Sequence, residues 1–379
     1  METIKTPSIK EGDNNLIDEK NRNDDGTSIF DDVFDVAIIG GGYAGLSAAL
    51  LLGRYLRPTI IFDVAKHRTS RIHGYLGFEK SPIKEVVQKA WRDVLQYRSV
   101  KRVEERVERV EKDYDNNLFL ITTTTKKDNG LTKDDAIKRK AKAKYIVIAT
   151  GVTHVQPTIK NFDEYLGNGI WHCPHCDGFE TTDKKLVIVA SGNKDNQALK
   201  YAKMFLGWTK DVTLFFQPPK YGDDDNGTMA TWVGGHQLTD EQKNEAMTLG
   251  INVIESDGIS EIVSDSGANK MKGVLTKSNR FYKADVLFYH IEQIIQNEIA
   301  IQLGCELDEG YVKVDKMQQT TIPNVYAAGD LDTDRHYAIL ASASGALAAI
   351  SIYEDLLKQA IKITRDEGGG GGKEEEKNN

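Results

Sequence analysis

The first apolar segments of the chain alternate strand, helix and strand around a glycine-rich turn, and this order restricts the fold. Residues 34–39 are an apolar run that predicts a buried strand, residues 44–55 predict a helix, and residues 59–62 predict a second strand. A helix between two apolar strands is typical of a parallel sheet covered by helices. The expected fold class is therefore α/β.

Three glycines in the turn after the first strand, Gly40, Gly42 and Gly45, fit the pattern GxGxxG. Glycines at these places permit a tight turn and let the backbone approach a pyrophosphate, whose charge meets the start of the helix at Ala44. Asp63 follows the second strand, where a carboxylate can accept hydrogen bonds from a ribose. These features predict a dinucleotide site, with a plain glycine-rich packing turn as the alternative.

Later segments predict a second unit of the same kind. Residues 103–110, 118–124 and 142–149 predict strands with the polar turns of an antiparallel meander. A new strand, turn and helix begin at Leu186 and lead to a strand at residues 212–216. Because the 379 residues exceed one ordinary core, we expect one α/β domain inserted in another.

The polar ends of the chain are poor in apolar residues, so we predict that they are disordered. The predicted boundaries are a disordered extension over 1–30, a first domain over 31–155, an inserted domain over 156–285, a return to the first domain over 286–365 and a disordered tail over 366–379. The net charge of -8 disfavours a nucleic-acid partner. The N-terminal residues resemble neither a signal peptide nor a mitochondrial presequence, which predicts a cytoplasmic protein. Uncharged stretches at 36–53 and 337–353 are rich in Gly, Ala and Ser, so a membrane span is the weaker interpretation of each.

Two of the three cysteines, Cys173 and Cys176, are separated by two residues in the segment WHCPHCDGFE. Such a pair can close a small disulfide ring, and its surroundings can lower the pKa of one thiol. Asp177 follows directly and is placed to move protons. The alternative is a zinc site with the histidines His172 and His175, although structural zinc usually needs a second ligand pair.

Near the C-terminus, the segment 320–330 reads TTIPNVYAAGD and places Asp330 at a strand end before a helix-compatible stretch, an arrangement that suits a flavin pyrophosphate. Four motifs now occur in order: GxGxxG, ATG at 149–151, CxxC, and TxxPxVYAAGD. Together they resemble the low-molecular-weight thioredoxin reductase family over residues 33–355. The resemblance implies two Rossmann-like domains of the three-layer ββα type, the second a nucleotide-binding-like domain that carries the cysteine pair, and a homodimer.

The resemblance also implies roles for individual residues. Both end motifs bind FAD in the family, so the C-terminal segment would fold back onto the first domain. Cys176 would lie toward the flavin, Cys173 would exchange with the substrate, and Asp177 would donate protons. Further positions expected to bind the cofactor are His73, Gly151, Gly329 and Ala338.

The inserted unit departs from the family at its own glycine motif, which reads Ala190, Ser191, Gly192 and ends with the acid Asp195. An acid repels a pyrophosphate, and Lys220 alone stands where the family has arginines for a 2′-phosphate, so NADPH binding is doubtful. The segment HGYLG at 73–77 and its companions are closer to the fungal dithiol oxidases and related bacterial proteins.

Where typical reductases carry RQA, this chain has His336, Tyr337 and Ala338. His336 is either a base that activates a substrate dithiol or a histidine without chemistry. The sequence therefore leaves three functions open. They are an FAD-dependent dithiol oxidase that passes electrons to oxygen, an NADPH-dependent reductase of a thioredoxin-like protein or small disulfide, and a non-catalytic FAD-binding redox sensor.

Overall fold

The computed structural model describes residues 27–64, 70–125, 137–191, 197–217, 238–255, 257–264 and 270–368. Its helices are α1 (Tyr43–Arg54), α2 (Ile83–Leu95), α3 (Phe162–Tyr165), α4 (Pro174–Asp177), α5 (Gln197–Met204), α6 (Asp240–Thr248), α7 (Glu298–Gln302) and α8 (Ala338–Gly368). Its strands up to the cysteine pair are β1 (Val33–Ile39), β2 (Thr59–Phe62), β3 (Val100–Val103), β4 (Arg106–Asp113), β5 (Leu118–Thr125), β6 (Ile137–Ile148), β7 (Val152–Val155) and β8 (Ile170–Trp171).

The remaining strands follow the cysteine pair. They are β9 (Leu186–Ser191), β10 (Val212–Gln217), β11 (Ile251–Ile254), β12 (Ile259–Ser264), β13 (Met271–Thr276), β14 (Phe281–Lys283), β15 (Val286–His290), β16 (Glu292–Ile295), β17 (Leu307–Asp308), β18 (Tyr311–Val312) and β19 (Val325–Ala327). The second glycine motif at 192–196 and Lys220 lie outside the described residues.

The first sheet has the strand order β3, β2, β1, β6, β5, β4, with β19 also paired to β6. The strands β3, β2, β1, β6 and β19 run parallel, whereas β4, β5 and the first half of β6 form the predicted antiparallel meander. One face of the parallel strands is covered by α1, α2 and α8, and the other packs on the meander. The predicted return of the C-terminal segment to this domain is confirmed by the pairing of β19 with β6.

The prediction of a single strand over 103–110 is wrong. The chain leaves the parallel sheet after Val103 and joins the meander at Arg106. Between them, Glu105 turns inward, where its carboxylate accepts a hydrogen bond from Thr123 and pairs with Arg139. A buried acid whose partners come from other strands interrupts the segment, because one continuous strand could not direct it toward both.

The predicted disorder of residues 1–30 and 366–379 is wrong at their inner ends. Ile29 and Phe30 form part of a short helical turn and are buried against the first core. Helix α8 continues through Gly368. The rest of each segment lies outside the described residues.

The second sheet has the order β11, β10, β9, β15, β8, with all of its pairs parallel. Its strands come from residues 170–290, between β7 and β16, which pair antiparallel and link it to the first sheet. Two parallel sheets, one contained within the sequence of the other, confirm the predicted α/β fold with an inserted Rossmann-like domain.

Helix α8 is long and apolar enough over Ala338–Arg365 to cross a membrane, by length and composition only. In the structure, Ala348, Ala349 and Ile352 on one side of this helix are fully buried in the core of the first domain. A helix that supplies part of a domain core has a sufficient reason for its apolar composition.

Candidate active site

The glycine-rich turn after β1 has the shape that its sequence predicts. Gly40 has a φ of +113°, and a Cβ at this position would lie 2.2 Å from the carbonyl oxygen of Ala149. A Cβ at Gly42, in contrast, would meet nothing within 4 Å. The turn therefore requires glycine at position 40 and leaves the backbone at position 42 open to an approaching ligand.

A cleft of about 420 Å³ opens at the carboxyl ends of β1 and β2. Gly40, Asp63, Arg106, Thr150 and Gln296 are among the residues that line it. Asp63 is buried, and its carboxylate lies 3.6 Å from the guanidinium of Arg102. Asp63 thus lies on the cleft beside the glycine turn, as predicted for an acid that binds a ribose.

The C-terminal motif lies against the same turn. Gly329 has a φ of +88°, its N–H donates to Ser344 Oγ at 2.8 Å, and a Cβ added to it would lie 2.9 Å from the Cβ of Ala44. Asp330 follows directly, and Ala338 is the first residue of α8. The two motifs that the sequence places at opposite ends of the chain are therefore neighbours.

Gly151, another predicted site residue, lies where the first domain meets the linking strands. It has a φ of +70°, and its carbonyl accepts a hydrogen bond from the N–H of Gln296 at 3.0 Å. The hydroxyl of Thr150 donates to the carbonyl of Gln296 at 2.5 Å. The ATG motif thus joins the start of β7 to the end of β16.

Cys173 and Cys176 form a disulfide with a Cα–Cα distance of 5.3 Å. Cys173 caps the helical turn α4, and its sulfur accepts a hydrogen bond from the N–H of Cys176 at 3.1 Å. Pro174 occupies the first helical position, where its missing N–H costs nothing. As a disulfide, the pair has no thiolate to offer zinc, and the described residues contain no group of three or more His, Cys, Asp or Glu placed to hold a metal.

Asp177 is buried beside the disulfide, and burial raises the pKa of its carboxyl to about 7. His73, whose Nε2 lies 3.9 Å from Asp177 Oδ1, acts in the opposite direction, and Glu180 raises the pKa further. A carboxyl with a pKa near neutrality can both accept and release a proton at physiological pH. Because His73 belongs to the first domain and Asp177 to the inserted unit, this contact joins the two.

Three histidine rings lie close together near the cysteine pair. The ring of His172, the residue before Cys173, lies 4.0 Å from that of His154, and His154 lies 6.0 Å from His336. Tyr311 is 6.1 Å from His336. The structure thus brings the predicted residue His336 into the region of the cysteine pair through His154.

Sequence reasoning missed His154 and Glu79. His154 lies on β7, and its place beside His172 depends on how the inserted unit packs. Glu79 Oε1 lies 2.8 Å from His73 Nδ1. The signal for Glu79 was an acid shortly after a histidine in a glycine-containing loop.

Comparison with known proteins identifies the class of this fold and site. Residues 34–348 match the pyridine nucleotide-disulphide oxidoreductase family. This match covers most of the chain, so the protein belongs to that family. Its relatives are thioredoxin reductases, and the protein is accordingly a thioredoxin reductase-like oxidoreductase.

Individual relatives agree with this assignment. The thioredoxin reductase aclD of Aspergillus oryzae is 26% identical over 339 residues, which cover 86% of this chain and 96% of aclD. The crystal structure of TrxB from Bacillus anthracis, titled a thioredoxin reductase, is 29% identical with a TM-score of 0.70 and covers 86% of this chain and 99% of its own. The crystal structure of HlmI has a TM-score of 0.72 at 22% identity, covers 89% and 96% respectively, and supports the fold.

Family membership implies FAD, and the residues present fit it. The open backbone at Gly42 and the adjoining cleft suit a dinucleotide. In addition, Nε2 of His336 is buried and has no hydrogen-bond partner within the part of the chain that the structure describes. Buried polar atoms are normally satisfied, so this nitrogen suits a polar group of the cofactor.

Proposed function

We propose that the protein is an FAD-dependent thiol-disulfide oxidoreductase in which Cys173 and Cys176 exchange electrons between FAD and a dithiol or disulfide substrate. The observation that carries this proposal is the pairing of the disulfide with the buried carboxyl of Asp177, whose pKa is about 7. A protein that opened and closed a disulfide would need such a group, because each cycle moves protons together with electrons.

In the oxidase direction, a substrate thiolate attacks the sulfur of Cys173, the Cys173–Cys176 bond breaks, and Cys176 leaves as a thiolate. The second substrate thiol, as its thiolate, then attacks the bound substrate sulfur, which closes the substrate disulfide and releases Cys173. Asp177 accepts a proton that the thiols lose. FAD, when bound, supplies the two-electron acceptor that re-forms the cysteine disulfide, and oxygen is the proposed final acceptor.

Features of the inserted sheet support the oxidase direction. At the carboxyl ends of its central strands, His290 pairs in register with Ala190 and stacks on Tyr201 at 4.7 Å between ring centroids. Burial lowers the pKa of His290, which favours the uncharged ring. A dinucleotide would bind at such strand ends, and an aromatic pair without a positive charge offers little to a phosphate.

The second candidate is an NADPH-dependent reductase acting on a thioredoxin-like protein or a small disulfide. The printed names of the relatives favour it, since aclD and the Bacillus anthracis protein are both described as thioredoxin reductases. A non-catalytic redox sensor is the third. The cytoplasmic location and the homodimer stay predictions.

These candidates separate when the purified flavoprotein is mixed without oxygen, first with NADPH and then with dithiothreitol, while flavin absorbance is followed. We expect bleaching by dithiothreitol and none by NADPH. Rapid bleaching by NADPH would instead establish the reductase, and bleaching by neither reagent would favour the sensor.

Two variants test the cysteine pair itself. Cys176→Ser should keep FAD but lose bleaching by dithiothreitol. Cys305→Ser is the matched control, since Cys305 is a free cysteine buried in the first core. Bleaching of Cys176→Ser at the wild-type rate would refute the mechanism.

A further inference from the structure

The loop before α2 is fixed to the first domain and presents His73 to the inserted unit. The backbone N–H of Ile72 donates to the carbonyl of Ser81 at 2.9 Å, and the N–H of Lys80 donates to the carbonyl of Ile72 at 2.9 Å, closing the loop. The hydroxyl of Tyr75 donates to Ser342 Oγ of α8 at 3.1 Å. The position of His73 is therefore set by the fold and not by the side chain alone.

Glu79 holds the ring of His73. One carboxylate oxygen, Oε2, accepts a hydrogen bond from the N–H of Gly74 at 2.9 Å, and the other, Oε1, lies 2.8 Å from His73 Nδ1. A carboxylate can only accept, so Nδ1 carries the hydrogen and the neutral ring keeps a lone pair on Nε2. The hydrogen bond from His73 lowers the pKa of Glu79, which keeps it ionised.

The lone pair of His73 is directed at the site. Nε2 lies 3.9 Å from Asp177 Oδ1, which exceeds an ordinary hydrogen bond by less than about 1 Å. The exposed fraction of the side chain rises from 10% at Asp177 through 12% at His73 to 55% at Glu79. The three groups thus lead from the buried carboxyl to solvent.

The other charged or titratable groups around these three are few within the described residues. Glu180 follows α4 and raises the pKa of Asp177, while the buried hydroxyl of Tyr201 on α5 is affected by the charge of Asp177. Lys80 lies beside Glu79 and lowers its pKa. His73 is the only base among the groups found to act on the Asp177 carboxyl.

We propose that His73 and Glu79 form the proton exit of the thiol-disulfide site, across the contact between the two domains. His73 Nε2 accepts the proton that Asp177 Oδ1 has taken from the dithiol, while the hydrogen on Nδ1 passes through Glu79 to water. The ring returns to its starting tautomer when Nε2 releases its proton. Glu79 is a positioning residue in this scheme. This inference rests on the proposed function.

The test uses the flavin-loaded protein, dithiothreitol as the electron donor and anaerobic rapid mixing. We expect His73→Ala to slow bleaching by about tenfold or more at neutral pH, and added imidazole to restore much of the rate by acting as a diffusible base. Glu79→Gln should slow bleaching less, because the ring remains. Glu180→Gln is the matched control: it removes an acid beside Asp177 without touching His73, and its rate should not respond to imidazole.

A second readout does not depend on turnover. The carboxyl infrared band of Asp177, recognised by its loss in Asp177→Asn, should titrate at about 7 in the wild type. In His73→Ala the midpoint should be higher, since His73 lowers the pKa of this carboxyl. An unchanged midpoint would show that the two groups do not interact and would overturn the proposal.

The failure of this inference is distinguishable from that of the proposed function. If dithiothreitol does not bleach the wild type, the thiol-disulfide function itself is wrong, and the exit falls with it. If the wild type is bleached and His73→Ala is equally fast, or is slow without rescue by imidazole, the proton exit is refuted while the function stands. Flavin content of each variant shows whether FAD is retained.

Discussion

Gly345 of α8 packs directly on the backbone of Ala44 in α1: a Cβ at position 345 would lie 2.0 Å from the carbonyl oxygen of Ala44. This close approach of the last helix to the first holds the two FAD motifs together, because Ser344, the preceding residue, accepts the hydrogen bond from Gly329. A segment that begins the domain and one that ends it thus share one cofactor site.

Gly345→Ala should therefore separate the two helices. We expect a loss of roughly 1–3 kcal/mol in the free energy of unfolding, the usual cost of overpacking, and a lower FAD content after purification. Chemical denaturation and the ratio of flavin to protein absorbance measure both. The control is Gly207→Ala, at which a Cβ would meet nothing within 4 Å. Equal stability and flavin content in the two variants would contradict this account of the contact.

Phe30 provides a second prediction, because residues before β1 were expected to be disordered. Its ring is buried in the first core, and the guanidinium of Arg139 lies 5.5 Å from the ring centroid. Phe30→Ala should lower the free energy of unfolding by about 3 kcal/mol. Ser28→Ala, which removes only the cap of this turn, should cost about 1 kcal/mol. If Phe30→Ala were neutral in thermal unfolding, the docking of this segment would be wrong.

The features that were predictable from the sequence are local ones. Gly40 and the cysteine pair announce themselves because a tight turn and a two-residue spacing each restrict the residues allowed. The strand over 103–110 was mispredicted because the partners of Glu105, Thr123 and Arg139, come from other strands. Nothing in the sequence near Glu105 reveals that pairing.

The candidate site shows the same limit. His73 and Asp177 could each be singled out from their own segments, but their contact depends on the packing of the inserted unit against the first domain. Burial cannot be read from a motif, so the raised pKa of Asp177 was not predictable either. The chemistry of the site arises from this tertiary contact.

Asp332 carries a prediction about stability and pH. Burial and the neighbouring charge of Asp330 raise the pKa of its carboxyl from 3.8 to about 7. Between these two pH values the unfolded chain loses the proton while the folded chain keeps it, so stability falls as pH rises through this range and the loss is complete above about 7.

Asp332→Asn should remove this loss. The variant and the wild type should differ little below pH 3.8, and above about pH 7 the variant should gain on the wild type, by on the order of 2 kcal/mol. Chemical denaturation across this range measures the difference. Asp334→Asn is the control, since the Asp334 side chain is 79% exposed. A constant difference between Asp332→Asn and the wild type at all pH values would refute the raised pKa.

Asp177 gives the corresponding prediction for activity. If its ionised carboxylate accepts the proton of a substrate thiol, the rate at which dithiothreitol bleaches the flavin should rise with pH through the Asp177 pKa of about 7. Asp177→Asn should be slower by roughly a hundredfold and should lack this inflection. Glu180→Gln should move the inflection to lower pH, because Glu180 raises the pKa of Asp177. Rapid mixing over a pH series provides the profile. An inflection near neutral pH that persisted in Asp177→Asn would assign the proton to another group and remove Asp177 from the mechanism.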